Sequence, residues 1–190
     1  LAEPYDIVAP DKISNIDRQK IIHDMELDCK LVIDKDITQF GKQDGKTRIL
    51  HRKVMSEHAH LPFTELDQIK NKELRKLCEQ IGFTRMLDIN LQTLPAGGSF
   101  NPHIDDAYIQ DPYGIKEAMY YTKGPVVFLL NLQDREADEN KYKLGPAGLV
   151  PINDGAFFNQ QYFSHCSINN SNYDRPMLIL QGDRNIHYDY

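Results

Sequence analysis

The chain contains 190 residues, 41% of them hydrophobic, which is enough for one domain with a sizeable core and gives no sign of a second domain. Its formal net charge of −6 opposes binding to a phosphate backbone, so we do not expect a nucleic-acid partner. No apolar run approaches the roughly 18 residues that span a bilayer, so we expect no membrane segment.

The number and spacing of the cysteines indicate the redox state of the cellular compartment. The three cysteines are far apart and odd in number, which favours a reducing environment over a disulfide framework. No basic-then-apolar secretory leader is evident, so we expect a cytoplasmic location. Asn169-Asn170-Ser171 is a glycosylation sequon, which matters only in a secreted protein.

The first 83 residues carry two predicted helices. One covers residues 16–27, with Ser14 or Asn15 as its N-cap. The other covers residues 63–81, because its apolar residues approximate one helical face and Gly82 suits its C-terminal stop. These helices are expected to support a sheet.

The remainder of this part is predicted to be strands and polar connections, without chemistry of its own. Residues 1–10, 29–33 and 48–54 are predicted strands. Cys78 lies within the apolar face of the second helix, so we interpret it as a small buried residue rather than a reactive thiol. Three histidines near the polar connection before Pro62 are interpreted as surface or structural residues: His51, His58 and His60.

Residues 84–94 alternate between apolar and polar side chains, as a strand with one polar face does. Asp88, Asn90 and Gln92 share the polar face. In a sandwich this face would meet solvent, whereas in a barrel that holds a polar ligand it can line the pocket. A turn at residues 95–99 follows.

His103 and Asp105 form a candidate metal-binding pair directly after that turn. Residues two apart on a strand share one face, so an imidazole and a carboxylate can converge on one cation. A single such pair is weak evidence, because His187 and Asp189 near the end of the chain match it too. Two histidines and one carboxylate on one side of a metal are expected of non-haem Fe(II) oxygenases, so a second histidine is required.

The segment between the first motif and the second histidine contains connections and core strands. Residues 106–123 form a long tyrosine-bearing loop, which we interpret as a lid or substrate wall. Residues 125–132 are predicted to be a buried strand, and residues 133–143 a solvated charged loop. A turn at residues 153–155 leads to the next strands.

The second histidine is His165, on a predicted strand over residues 162–167. After an Asn-rich turn, residues 175–180 are predicted to run back antiparallel to that strand, beginning at Arg175. A cation one strand from a metal can hold the far carboxylate of a ligand whose near end chelates the metal.

The order His103-x-Asp105, His165 and then Arg175 ten positions on resembles the Fe(II)/2-oxoglutarate-dependent dioxygenases, over about residues 84–183. The Gly-Gly-Ser-x-x-Pro-His approach and the His…Asn…Arg-Pro ending are most similar to the prolyl-hydroxylase and aspartyl/asparaginyl-hydroxylase branches. The resemblance implies a mainly β fold, a double-stranded β-helix or jelly roll with flanking helices. Residues 1–190 would be one oxygenase domain, with residues 1–83 as a mostly helical support and residues 84–183 as the metal-binding core.

The resemblance also implies roles for individual residues. His103, Asp105 and His165 would be the iron ligands, and Arg175 would pair with the C5 carboxylate of 2-oxoglutarate. Many relatives place Ser or Thr two residues after this arginine, but here that position is Met177. Another hydroxyl or amide must therefore help, from a loop tyrosine or from one of four candidates: Asn90, Gln92, Asn131 and Ser167.

The implied activity is hydroxylation of an unactivated C–H bond with dioxygen, releasing succinate and carbon dioxide. An amino acid, a peptidyl residue or a small metabolite would be the substrate. One alternative is a cupin-like metalloenzyme that does not use 2-oxoglutarate, although such proteins usually carry a further His or Glu in the first motif. Another is a non-catalytic jelly-roll binding module, which would need no metal.

Overall fold

The computed structural model describes residues 5–7, 13–34, 37–39, 45–52, 64–103, 126–132, 141–144, 148–151, 155–158 and 164–184. These residues form two α-helices and thirteen strands, and the strands pair antiparallel throughout. The helices are α1 (Arg18–Asp28) and α2 (Lys72–Gln80). The strands are β1 (Tyr5–Ile7), β2 (Lys30–Asp34), β3 (Ile37–Gln39), β4 (Gly45–Arg52), β5 (Thr64–Glu65), β6 (Phe83–Leu94), β7 (Gly98–His103), β8 (Val126–Asn131), β9 (Lys141–Leu144), β10 (Gly148–Pro151), β11 (Ala156–Phe158), β12 (His165–Ile168) and β13 (Arg175–Arg184).

The strands form two sheets. The larger sheet has eight strands in the order β1-β11-β8-β13-β6-β4-β2, with β5 paired to β6. The smaller sheet has five strands in the order β10-β9-β12-β7-β3. Strands from the first 83 residues therefore belong to both sheets, so this part of the chain contributes to the β structure as well as supplying the helices.

The main hydrophobic core lies between the larger sheet and the helices. Alternation along β13 shows this division, because Leu178 and Leu180 join the core whereas Arg175 and Met177 lie on the opposite face. The helices contribute Ile21 and other buried residues to the same cluster. Neither α-helix of the described part is long and apolar enough to cross a membrane.

Helix α1 begins one residue after Asp17, whose carboxylate accepts a hydrogen bond from the Lys20 N–H at 3.0 Å. The predicted caps, Ser14 and Asn15, therefore lie too early in the chain, since the Asp17 side chain satisfies the first-turn donor. Glu73 of α2 accepts a hydrogen bond from the Asp17 N–H at 2.8 Å, and this backbone donor lowers the pKa of Glu73. The two helices are thus joined at the start of α1.

The continuous helix predicted over residues 63–81 is wrong in its first half. That half contains β5 and a 3-10 turn at Leu66–Gln68, closed by a hydrogen bond from the Glu65 N–H to the Gln68 side chain. Helix α2 starts only after Asn71, whose side chain accepts from the Leu74 N–H at 2.9 Å. Gly82 ends the helix as predicted, with a φ of 95°.

Of the other predicted elements, some are found in the structure, some are wrong and some lie outside the described residues. The strand predicted at residues 48–54 is β4, which begins earlier, at Gly45. The prediction of a loop over residues 133–143 is wrong at its end, because β9 starts at Lys141 and pairs with β10 and β12. The tyrosine-bearing loop, together with His58, His60, His187 and Asp189, lies outside the described residues.

The three cysteines are free thiols. Cys78 is fully buried in α2, and this burial raises the pKa of its thiol. A buried thiol that resists ionisation is a poor nucleophile, which supports the structural interpretation of Cys78.

Replacing Gly155 with alanine should lower the free energy of unfolding by roughly 2–3 kcal/mol. Gly155 has a φ of 87°, and a Cβ atom there would overlap the Phe128 ring, which is part of the core. The exposed Gly97, with a φ of 70°, is the matched control, since Gly97→Ala tests the cost of the backbone conformation alone. Urea unfolding of both variants checks this, and equal losses would show that the clash with Phe128 is relieved.

Candidate active site

The face of the larger sheet that lies away from the helices is also buried, because the smaller sheet covers it. Described side chains of the two sheets contact each other at Phe158 and at Arg175. The Phe158 and His165 rings pack edge to face, and the Arg175 guanidinium donates a hydrogen bond to the Ser167 hydroxyl. Buried residues of the larger sheet outside the helix-packed core include polar ones: Asp88, Asn90, Asn131, Arg175 and Gln181. This interior between the sheets is the candidate site.

The two predicted histidine ligands lie directly opposite each other on neighbouring strands. His103, the last residue of β7, is the Cα partner of His165, the first residue of β12. Directly opposed residues share one face of a sheet, with Cβ atoms about 4.5–5.5 Å apart. His165 is buried on the inner face, and His103 is its Cα partner on the neighbouring strand.

A bulge in β7 lies next to this histidine pair. His165 pairs with His103, but Ser167 pairs with Phe100, so β7 carries one more residue than β12 over this stretch. The extra length contains Pro102, which a bulge accommodates because proline has no N–H for the ladder. The irregularity therefore explains how the Pro-His sequence fits within a strand, and bulges commonly redirect the strand beside a functional site.

Phe158 supports His165 from the opposite sheet. The ring centroids are 5.2 Å apart and the ring planes are inclined by 67°. Both residues are buried, and edge-to-face packing of this kind restricts the orientation of an imidazole. The sequence indicates Phe158 only as part of a strand.

The third predicted ligand lies outside the described residues. Asp105 is two residues beyond the end of β7, and Asp106 follows it. Within the described residues, no group of three metal-binding side chains is present. The metal triad therefore stays a prediction, two members of which occupy paired strand positions.

Arg175 belongs to the other sheet from the histidine pair, and its side chain contacts Ser167 of β12. The prediction that its strand runs beside the His165 strand is wrong, because β13 pairs with β6 and β8. The chain crosses between the sheets after β12, so Arg175 meets Ser167 across the interior. Ser167 is two residues from His165 on β12, roughly 7 Å along the strand.

The four candidate partners of Arg175 occupy different positions relative to its guanidinium. Ser167 contacts the guanidinium directly. Gln92 and Asn131 flank Met177 in the same row of the larger sheet, the row next to Arg175. Asn90 lies one row farther and its amide donates to the Asp88 carboxylate at 3.0 Å. Ser167 thus has the observed contact with the guanidinium, whereas Gln92 and Asn131 flank Met177, the position at which relatives carry a hydroxyl.

Asn169 is a structural residue of the site that the sequence identifies only as a sequon. Its fully buried amide donates to the carbonyls of Leu94, Pro95 and Tyr173 at 3.0, 3.2 and 2.6 Å. Its side-chain oxygen accepts from the Ser171 hydroxyl at 2.6 Å. Asn169 therefore joins the turn before β7 to the connection between β12 and β13, and the folded protein does not present it for glycosylation.

No protein-family model and no curated protein matches the chain. Among solved structures, the chain is similar to a prolyl-4-hydroxylase from Pseudomonas putida, with 10% identity, a TM-score of 0.52 and coverage of 96% of this chain and 94% of that one. It is also similar to a prolyl hydroxylase from Trichoplax adhaerens in complex with a hypoxia-inducible-factor peptide fragment, with 11% identity, a TM-score of 0.51 and coverage of 95% and 84%. A Burkholderia pseudomallei oxidoreductase of the 2OG-Fe(II) oxygenase family aligns with 9% identity, a TM-score of 0.47 and coverage of 88% and 82%.

The two prolyl hydroxylases confirm the predicted fold class. Each covers at least 95% of this chain with a TM-score above 0.5. The two antiparallel sheets, with helices packed on the outside of the larger one, are therefore a double-stranded β-helix. At about a tenth identity the likeness establishes the fold, and any statement about activity has to come from the residues of the site.

Proposed function

We propose that this chain is an Fe(II)- and 2-oxoglutarate-dependent dioxygenase that hydroxylates a C–H bond of an amino acid, a peptidyl residue or a small metabolite. The observation that carries the proposal is the direct pairing of His103 with His165, next to a buried arginine that contacts Ser167. A peptidyl substrate is in line with the Trichoplax adhaerens prolyl hydroxylase, which is in complex with a peptide fragment.

The residues present fit a ferrous ion. His103 and His165 occupy opposed backbone positions on neighbouring strands, and Asp105 follows His103 at the spacing of a third ligand. Two histidines and a carboxylate with open positions opposite are the ligand set of non-haem Fe(II) oxygenases. When bound there, iron would supply dioxygen activation, with succinate and carbon dioxide as coproducts.

Arg175 would hold the far carboxylate of 2-oxoglutarate. It is buried, and its guanidinium already donates to Ser167, so the hydroxyl and the cation form one polar group at one end of the interior. The roughly 7 Å between positions 165 and 167 on β12 suits a five-carbon dicarboxylate chelated at one end. Ser167 would then replace the hydroxyl that relatives carry two residues after the arginine.

The buried surroundings of the site would serve the same chemistry. Phe158, Leu129 and Met177 are apolar residues on the inner face, and they exclude water around the polar groups. Hydrogen bonds and ion pairs are stronger in such a low-dielectric interior. The chain therefore supplies orientation of the ligand and exclusion of water.

The test is anaerobic titration of the protein with Fe(II) and 2-oxoglutarate, followed by the weak visible band of the iron chelate. Arg175→Ala should raise the 2-oxoglutarate concentration at half saturation about 100-fold, because a buried charge-assisted contact is worth roughly 3 kcal/mol. Pyruvate, a 2-oxo acid without a distal carboxylate, should bind the variant and the wild type equally well.

The pyruvate comparison separates recognition from misfolding, since a collapsed site would lose both acids. Arg75→Ala on α2 is the control for the loss of an arginine. A wild-type protein that binds iron without forming the chelate band would remove 2-oxoglutarate and favour the cupin-like alternative. A protein that binds an organic acid equally well after His103→Ala would favour the metal-free binding module.

A further inference from the structure

Exposed apolar side chains are concentrated at one edge of the larger sheet. Among the described residues five large hydrophobic side chains are exposed, and three of them lie here. Leu27 is 70% exposed near the end of α1, and Leu31 and Ile33 of β2 are 42% and 56% exposed. In the described part of the chain, β2 is the last strand of its sheet. This apolar edge is a candidate surface for pairing with another strand.

Within the described residues, strand β2 itself lacks three features that usually prevent such pairing. Proteins protect exposed edges with proline, bulges or central charges. β2 contains no proline, its pairing with β4 is regular over all five residues, and its two charges stand at its ends. The centre of the strand, Leu31-Val32-Ile33, is entirely apolar.

The sequence of β2 is complementary to itself when reversed. In an antiparallel pair centred on Val32, Lys30 would lie opposite the partner's Asp34, and Leu31 opposite the partner's Ile33. Opposite charges and apolar residues are both favourable when directly opposed across strands. Shifting the register by two residues towards the start of the partner's β2 would place Lys30 opposite the partner's Val32 and remove the charge pairing.

The exposed side chains lie on the face that such a pair would extend. Leu31 is paired with Arg48 of β4, which is paired with Leu91 of β6. Leu91 belongs to the helix-packed core, so Leu31 and Ile33 share the face that carries α1. Leu27 of α1 is on the same side of the sheet, so pairing would bring all three exposed residues to one boundary.

We propose that two copies of this chain form a twofold symmetric dimer by antiparallel pairing of β2 with the partner's β2. The pairing satisfies backbone N–H and C=O groups along both edges and joins the two larger sheets into one. The strand pair is short, so the dimer should be reversible, with dissociation in roughly the micromolar range. None of these residues belongs to the candidate active site, so the dimer is independent of the proposed function.

Sedimentation of the wild type over a range of concentrations is the first test. The mass should rise with concentration towards twice the 22.0 kDa of one chain. Ile33→Lys should keep the chain monomeric, because it places a charge at the centre of the apolar pairing. Ile168→Lys is the matched control, since Ile168 is 58% exposed on β12 and should leave dimerisation unchanged.

A disulfide at the twofold axis is the second test and does not depend on removing the interface. Val32→Cys would place two cysteines opposite each other, about 4.5–5.5 Å apart between Cα atoms, within the span of a disulfide. A Cys166→Ala background removes the thiol of intermediate exposure, whereas Cys29 and Cys78 are buried. Mild oxidation should give a covalent dimer for Val32→Cys but not for Lys46→Cys, an exposed position one strand inward.

The proposal is overturned if the wild type stays at 22.0 kDa at its highest soluble concentration and Val32→Cys links no faster than Lys46→Cys. It is equally overturned by a dimer that persists in Ile33→Lys and dissociates in Ile168→Lys, which would place the interface at β12. Circular dichroism of each variant confirms that the monomers compared are folded.

Discussion

Replacing His165 with alanine should abolish the iron chelate band and all succinate release. His165 is buried on the inner face, opposed to His103 and packed against Phe158, so its imidazole has a defined position. Loss of residues that merely support a metal ligand costs roughly 10–100-fold in metal affinity, and loss of the ligand itself should exceed that range. Anaerobic titration with Fe(II), with and without 2-oxoglutarate, measures the change.

The control for this prediction is His23→Ala. His23 is an exposed histidine of α1, and its ring lies 3.4 Å from the Asp24 carboxylate. This variant tests whether removal of a histidine outside the site also weakens the iron chelate band, and we expect iron binding to be unchanged. Thermal unfolding of His165→Ala without metal shows whether the fold survives. If the folded variant binds iron and 2-oxoglutarate as the wild type does, His165 is not a ligand.

Alternation along single strands makes much of the inner face predictable. The apolar and polar residues of β6 alternate in the sequence and predict one polar face, and Asp88 and Asn90 are indeed buried on the inner side. Successive side chains of any strand point to opposite faces, so this alternation can be predicted without knowing which strands pair with it. The order of His103, His165 and Arg175 likewise indicates residues that the fold brings to one interior.

The pairing of the strands cannot be predicted in the same way. That His103 opposes His165 follows from contacts between residues about sixty positions apart, as does the bulge at Pro102. The sequence predicts Arg175 beside the His165 strand, but β13 belongs to the other sheet, because the connection through Asn169 leads from the smaller sheet to the larger one. Local patterns do not distinguish a hairpin from such a crossing.

The helix predicted over residues 63–81 fails for a local reason. Its apolar spacing agrees with a helix, but the side-chain hydrogen bonds of Gln68 and Asn71 each cap the start of a separate helical segment. The asparagine side chain can hydrogen-bond to backbone N–H groups in place of a continued helical ladder. An N-cap within an apolar helical pattern therefore divides the predicted helix. Asparagine is a favoured N-cap residue, so a helix that starts after Asn71 agrees with its chemistry.

Replacing Asn169 with aspartate should lower the free energy of unfolding by about 4 kcal/mol. The two side chains have the same shape, so no cavity forms and the change is electrostatic. The Asn169 amide donates to three backbone carbonyls, including that of Leu94 at 3.0 Å. A carboxylate would direct a negative oxygen at those carbonyls in a fully buried position. Urea unfolding at neutral pH measures the loss.

The adjacent exposed residue provides a matched control, because Asn170→Asp makes the same chemical change in solvent and should alter stability by no more than about 0.5 kcal/mol. The difference between the variants should depend on pH. Burial would raise the pKa of the aspartate at 169 in the folded state above its unfolded value of about 3.9. The penalty is therefore complete above the folded pKa and shrinks as the pH falls towards about 4, because a protonated carboxyl can donate again. A difference that stays constant with pH would mean that the loss is not caused by a buried charge, and that the amide of Asn169 is not what joins the turn before β7 to the connection between β12 and β13.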